Sequence, residues 1–213
     1  MYNTLILYIQ GRGYFKMFTN DEVINFLESS HPECEYLDYK RKGYQKGQRG
    51  NFIKDIISML NTYNAYDRNR FIIIGVDDSG HLFGISESEK RDDNEYQNWV
   101  DKIYPVPTIN TGHVIYKNMI FEVICVNKEN DGQVYEVAKG VSEPPAYEGQ
   151  SFYRQGSRNT LLTEDDKRKI RASYFDASKY KEKLIELVDN YVGNGVPPIL
   201  IALMIEAWDF NYK

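Results

Sequence analysis

The sequence predicts an α+β fold: a mixed β-sheet with flanking helices, followed by a short C-terminal helical segment. Three observations carry this. The run RFIIIGV at residues 70–76 is apolar without alternation, as a central strand buried on both faces requires. The run FIKDIISMLNT repeats Ile53, Ile56, Ile57 and Leu60 at i, i+3, i+4, i+7, which is the spacing of an amphipathic helix. From Thr163 onward the period turns helical, whereas short strand-like runs split by Gly and Pro precede it. The chain accordingly divides into an N-terminal extension at 1–16, a main domain at 17–162 and C-terminal helices at 163–213.

The elements follow in order. Thr19, Asn20 and Asp21 supply N-cap chemistry for a helix whose apolar stripe is Val23, Ile24, Phe26 and Leu27, and His31-Pro32 should end it. CEYLDYKRK reads as a short strand with Leu37 and Tyr39 toward the core. Asp38 and Lys40 then share the opposite face, because side chains two apart in a strand point the same way. A Gly-rich basic loop, GYQKGQRGN, leads into the helix of 52–62. After the central strand, DDSG turns the chain and HLFGI is expected as a hairpin partner. Residues 86–104 suggest an exposed helix ending before Pro105.

GHVIYKNMIFEVICV reads as a hairpin turning at Lys117-Asn118, and QVYEVAKG and QSFYRQGSRN as two further short strands around Pro144-Pro145. Thr163 with Asp166 starts a helix in the manner of a capping box. Tyr180, Leu184, Leu187, Val188 and Tyr191 make another helical stripe, and ILIALMIEAW forms a last helix, apolar all round and therefore buried in a core or against a partner.

Composition is that of an ordinary globular chain: 213 residues, 42% hydrophobic, 27% charged, with a formal net charge of −5. Any nucleic-acid affinity must therefore come from a local basic patch. Cys34 and Cys125 form no metal or disulfide framework, which fits a reducing cytoplasm. No apolar run approaches the roughly 18 residues a membrane span needs, so no membrane partner is expected. The three histidines, His31, His81 and His113, lie at no zinc-like spacing.

Chemistry concentrates around Glu33, Asp38 and Lys40. Phosphodiester hydrolysis needs the non-bridging oxygens neutralised and a water activated; carboxylates holding Mg²⁺ or Mn²⁺ can do both, with a lysine to stabilise the transition state. Glu33 can join the acid-x-Lys pair if the chain bends near Pro32. A third acid is expected from Asp77 or Asp78, at the end of the long apolar strand, although Asp-Asp-Ser-Gly is also ordinary turn chemistry. Candidate metal ligands are thus Glu33, Asp38 and Asp78. Six basic residues, Lys40, Arg41, Lys42, Lys46, Arg49 and Lys54, fill the neighbouring segment, and Arg154 and Arg158 form a second cluster. Both clusters are candidates for binding phosphate.

These pieces together resemble the Schlafen/AlbA-type domain, also called the divergent AAA-associated DNA-binding domain. The likeness runs over roughly residues 20–165. It comprises Glu33 and the acid-x-Lys of Asp38 and Lys40, then Ser58, Asn61 and Thr62 at a helix end. The strand Ile73 to Asp78, the return at Gly84-Ile85 and a late Tyr-Arg-x-Gly-Ser from Tyr153 to Ser157 complete it. The resemblance implies either a metal-dependent endoribonuclease acting on tRNA or other structured RNA, or a non-catalytic nucleic-acid-binding or regulatory module. It implies RNA rather than DNA as partner, Mg²⁺ or Mn²⁺ as cofactor, and a homodimer or partner domain to complete the groove. It also places the three acids at Glu33, Asp38 and Asp77 or Asp78, with Asp78 fitting slightly better by spacing. Two departures stand out. Asp38 replaces the more usual Glu, and YNAYDRNR, with Arg68 and Arg70, replaces a usual Gly-Gly and suggests a substrate-facing insertion.

Overall fold

In the computed structural model, which describes residues 18–62, 69–127, 133–142 and 144–173, helix α1 spans Asn20–Ser29. Thr19 caps it reciprocally: its hydroxyl accepts from the Glu22 N–H at 3.2 Å, and its own N–H donates to the Glu22 carboxylate at 3.3 Å. Ser30, in the left-handed region at φ 47°, ends the helix before Pro32 is reached. Strand β1 (Leu37–Lys40) follows, then a 3₁₀ turn (Lys46–Gln48), helix α2 (Arg49–Leu60) and strand β2 (Arg70–Ile74).

β1 and β2 are parallel, with Asp38 opposite Ile72 and Lys40 opposite Ile74. A parallel pair needs a crossover, and α2 provides it. Beyond β2 come helix α3 (Asp93–Val100), the short strand β3 (Ile103–Tyr104), and the long hairpin β4 (Thr108–Tyr116) and β5 (Met119–Asn127). The hairpin turns at Lys117 and Asn118, at φ 48° and 58°, the left-handed pair that matches strand twist. The sheet order is β1-β2-β5-β4.

β2 shows why its sequence is apolar throughout. Phe71 and Ile73 pack with Val23, Leu27, Leu37 and Tyr39 on the α1 side. Ile72 and Ile74 pack with Phe52, Ile53, Ile56 and Leu60 on the α2 side. Five short strands then complete the β-structure of the described residues: β6 (Glu136–Val137), β7 (Val141–Ser142), β8 (Pro145–Ala146) and the hairpin β9 (Phe152–Gln155) and β10 (Arg158–Leu161). Helix α4 (Glu164–Ser173) starts at the expected Thr163–Asp166 box and packs Ile170 against Val134 and Leu162. Among the described residues no helix is long and apolar enough to cross a membrane.

Several expectations change. HLFGI does not pair along β2: only Val76 bridges Leu82, and Ile85 bridges Ile120, because β5 already occupies that edge of β2. The helix within 86–104 is shorter and less exposed, with Tyr96, Trp99 and Val100 buried. QSFYRQGSRN is a hairpin strand and its turn rather than one strand. Arg70 begins β2 and is fully buried, so it cannot face a substrate. Arg68, the N-terminal extension, the 180–191 stripe and the last helix lie outside the described residues.

Candidate nucleic-acid interface

The acid-x-Lys pair lies on one strand face as the spacing predicts. Lys40 Nζ is 2.6 Å from Asp38 Oδ2. The same ammonium is 3.5 Å from Oδ2 of Asp55, an α2 residue that sequence reasoning passed over. Asp55 is almost wholly buried and fully bonded: the Tyr44 hydroxyl donates to it at 2.5 Å and the Asn159 amide at 2.5 Å. Burial pushes the Asp55 carboxyl up, against the opposing pull of Lys40. Burial also works against the Lys40 charge, but Asp55 and then Asp38 outweigh it and hold the ammonium above the ordinary lysine value. Lys40 is therefore a fixed cation.

The β9–β10 hairpin is brought to this point by the end of α2. Asn61 donates to the Tyr135 and Phe152 carbonyls at 2.8 and 2.9 Å and accepts from the Tyr135 N–H at 2.8 Å. Ser58 donates to Asn159 at 2.6 Å, and Thr62 accepts from the Arg154 N–H at 3.2 Å. The Ser-x-x-Asn-Thr pattern is thus a bracket whose polar groups satisfy the backbone of a loop lying across the helix.

That bracket buries Arg154. Its guanidinium donates to Asp38 Oδ1 at 2.7 Å and to the Cys34 carbonyl at 2.9 Å, and lies 3.9 Å from Glu33 Oε2. The expected phosphate clamp at Arg154 is corrected accordingly: with 2% of its surface exposed, the side chain serves carboxylates inside the fold. Arg158, by contrast, is exposed at the start of β10.

Glu33 does reach the cluster around Pro32. Its Oε1 accepts from the Tyr39 N–H at 2.9 Å, and its carboxyl is raised by burial and by Asp38, against that N–H and Arg154. Asp77 and Asp78 do not join it. Asp77 accepts from the backbone N–H groups of Ser79 and His81 at 3.0 and 2.9 Å, and these bonds, led by that of His81, lower its carboxyl. Asp78 is exposed in the same turn. The turn reading of DDSG prevails.

This arrangement does not fit a three-carboxylate Mg²⁺ or Mn²⁺ centre. Both oxygens of Asp38 face protein cations, Glu33 holds a backbone N–H, and Asp77 is committed to its turn. Among the described residues no group of three His, Cys, Asp or Glu side chains is placed to hold a metal.

What the fold builds instead is a cleft of about 290 Å³ over Lys40 and Asp55, walled by Lys42, Tyr44, Lys54 and Asn159. The ammonium of Lys54 also lies 5.8 Å from the Phe152 ring centroid. Arg41 and Arg49 are exposed beside it, over the rings of Phe83 (3.5 Å) and Trp99 (5.9 Å). Lys46 lies in the 3₁₀ turn that precedes α2.

A mixed sheet crossed by α2, with a lysine-walled cleft at the end of its parallel edge strand, defines an α+β domain. The sequence from 33 to 163 matches the family model for Schlafen, AlbA_2, and the chain belongs to that family. Membership points to a nucleic-acid-related function. No curated protein matches the chain. Among solved structures, the DIP2311 protein from Corynebacterium diphtheriae is similar at 14% identity and a TM-score of 0.45, over 75% of this chain. The match spans 31% of that protein's length.

Proposed function

We propose that this chain binds nucleic acid without cleaving it, RNA rather than DNA, by holding a backbone phosphate in the lysine cleft. The observation that carries the reading is the cleft itself. Lys40, Lys42 and Lys54 converge there with the amide side chains of Gln48, Asn51 and Asn159, in a chain whose overall charge is −5. Lys42 and Lys54 on one concave surface supply the local field that the net charge opposes, the Lys40 ammonium being shared with Asp38 and Asp55. The Gln48 and Asn51 amides add directional hydrogen bonds to phosphate oxygens, the Asn159 amide being held by Asp55 and Ser58. The cleft is small beside a folded RNA, so a second copy or a further domain would supply the rest of the groove.

Binding of labelled RNA and DNA across a salt series tests this. The Lys42→Ala/Lys54→Ala variant should bind more weakly, with the slope of log K against log salt reduced by about 1 for each lysine removed. An unchanged slope and affinity would remove the cleft from the interface.

The second reading is a metal-dependent endoribonuclease, favoured by the convergence of Glu33, Asp38 and Lys40. It would need Arg154 and Lys40 to release Asp38. Incubation with tRNA and Mg²⁺ or Mn²⁺ separates the two. Metal-dependent cleavage that Glu33→Gln abolishes would establish turnover; intact RNA under conditions where it binds supports binding alone.

A further inference from the structure

Between Lys40 and Lys42, which line the cleft, Arg41 takes part in a feature that phosphate binding does not use. Phe83 is a large apolar side chain with 48% of its surface exposed, and the guanidinium carbon of Arg41 lies 3.5 Å from its ring centroid. A guanidinium at that distance lies on the ring face, as cation–π stacking requires. The ring is not a loop tip left to wander. The N–H groups of Phe83 and Gly84 both donate to the Gly75 carbonyl, at 2.8 and 2.9 Å. The Gly75 N–H in turn donates to the Lys40 carbonyl at 2.8 Å.

Glycines make this crossing possible. Gly75 and Gly84 have φ of +107° and +65°, and a Cβ on Gly75 would stand 2.9 Å from the Gly84 Cα. Phe83 is therefore fixed against the end of β1, where Lys40, Arg41 and Lys42 follow one another. Lys40 and Lys42 line the cleft while Arg41, between them, takes the aromatic ring. The nearby Glu89 carboxylate is engaged by the Ser86 N–H and hydroxyl, both at 2.8 Å.

We propose that Arg41 and Phe83 form a stacking platform for one unpaired base, next to the phosphate held in the lysine cleft. The ligand is then a single-stranded segment of nucleic acid. Bases inside a duplex have both faces covered, whereas an unstacked base offers a face to an aromatic ring or a guanidinium plane. Neither partner reads a hydrogen-bonding edge, so the platform takes any base. This inference rests on the nucleic-acid reading of the cleft.

The test is equilibrium binding of a single-stranded RNA oligomer and a blunt RNA duplex to the full chain, its Phe83→Ala and Phe83→Trp variants, and Lys42→Ala/Lys54→Ala. The parent should prefer the single strand. Phe83→Ala should weaken single-strand binding by about 5- to 150-fold, the range that base–aromatic stacking covers, and leave the salt slope unchanged. Phe83→Trp should retain affinity, its added indole fluorescence quenched by the single strand. Because Phe83 is half exposed, both variants should melt with the parent. Equal binding by Phe83→Ala and the parent, with the lysine variant impaired, overturns the platform and leaves the cleft standing. A parent that binds neither ligand overturns both. An indole unquenched by RNA yet buried by self-association makes the patch a protein contact and overturns the platform.

Discussion

Asp38 and Arg154 are 116 residues apart in the chain and meet at 2.7 Å, with side chains only 3% and 1% exposed. The contact joins the parallel edge strand to the β9–β10 hairpin. It sits where the likeness to the family had suggested a metal. Lys40 and Arg154 approach opposite oxygens of the one carboxylate, so the Asp38 charge is met from both sides by protein cations.

Removing one partner of such a pair should be severe. Arg154→Ala leaves Asp38 and Glu33 buried beside one fewer cation, and losing one member of a buried ion pair costs about 3–5 kcal/mol. The expected outcome is a lower urea midpoint with an unchanged slope, measured by circular dichroism. Adding Asp38→Asn should recover part of the loss, since the neutral amide no longer demands a counter-ion. A single variant as stable as the parent would show that Arg154 is dispensable.

The residues of this site were unevenly legible in sequence. The Asp38–Lys40 face followed from strand periodicity, and Glu33 from the bend at Pro32. Arg154 was misread because an arginine in a Gly-containing hairpin gives no sign of depth; its burial depends on Asn61 and Thr62 bracketing the hairpin from α2. Asp55 was not singled out, standing in the helix sequence between Lys54 and Ile56. A signal did exist: Phe52, Ile53, Ile56, Ile57, Met59 and Leu60 make α2 apolar nearly all round, and an acid in such a helix must find partners. The turn at Asp77 was equally visible as a turn, and local Asx chemistry decided it over a long-range site.

Gly50 offers a test of how the fold closes over α2. It is buried in the first turn of the helix, and a Cβ there would lie 1.8 Å from the Pro144 carbonyl oxygen. In an open helix Gly→Ala stabilises by about 1 kcal/mol. Here the collision is with backbone, and overpacking of this kind costs roughly 1–3 kcal/mol. Gly50→Ala should therefore lower the melting temperature, and the sign alone decides. A stabilised variant would mean that the loop at Pro144 yields freely.

Glu122 should make stability depend on pH. It is buried on β5, accepting from the Arg91 N–H at 3.4 Å and the Tyr96 hydroxyl at 3.2 Å. Burial pushes its carboxyl above the ordinary 4.5, and the two donors only partly oppose this. The folded state thus keeps a proton that the unfolded chain has already released. Stability contributed at low pH is lost as pH rises from the unfolded value through the raised folded one, and then levels off. Glu122→Gln stays neutral throughout; its amide can accept from Arg91 and donate to Tyr96. The variant should gain on the parent across that window and hold a constant advantage above it, as followed by urea denaturation from pH 4 upward. Glu33 and Asp55, also raised by burial, titrate in both proteins, so the difference between the two curves isolates Glu122. A difference that does not change with pH would show that Glu122 titrates alike in the folded and unfolded chains.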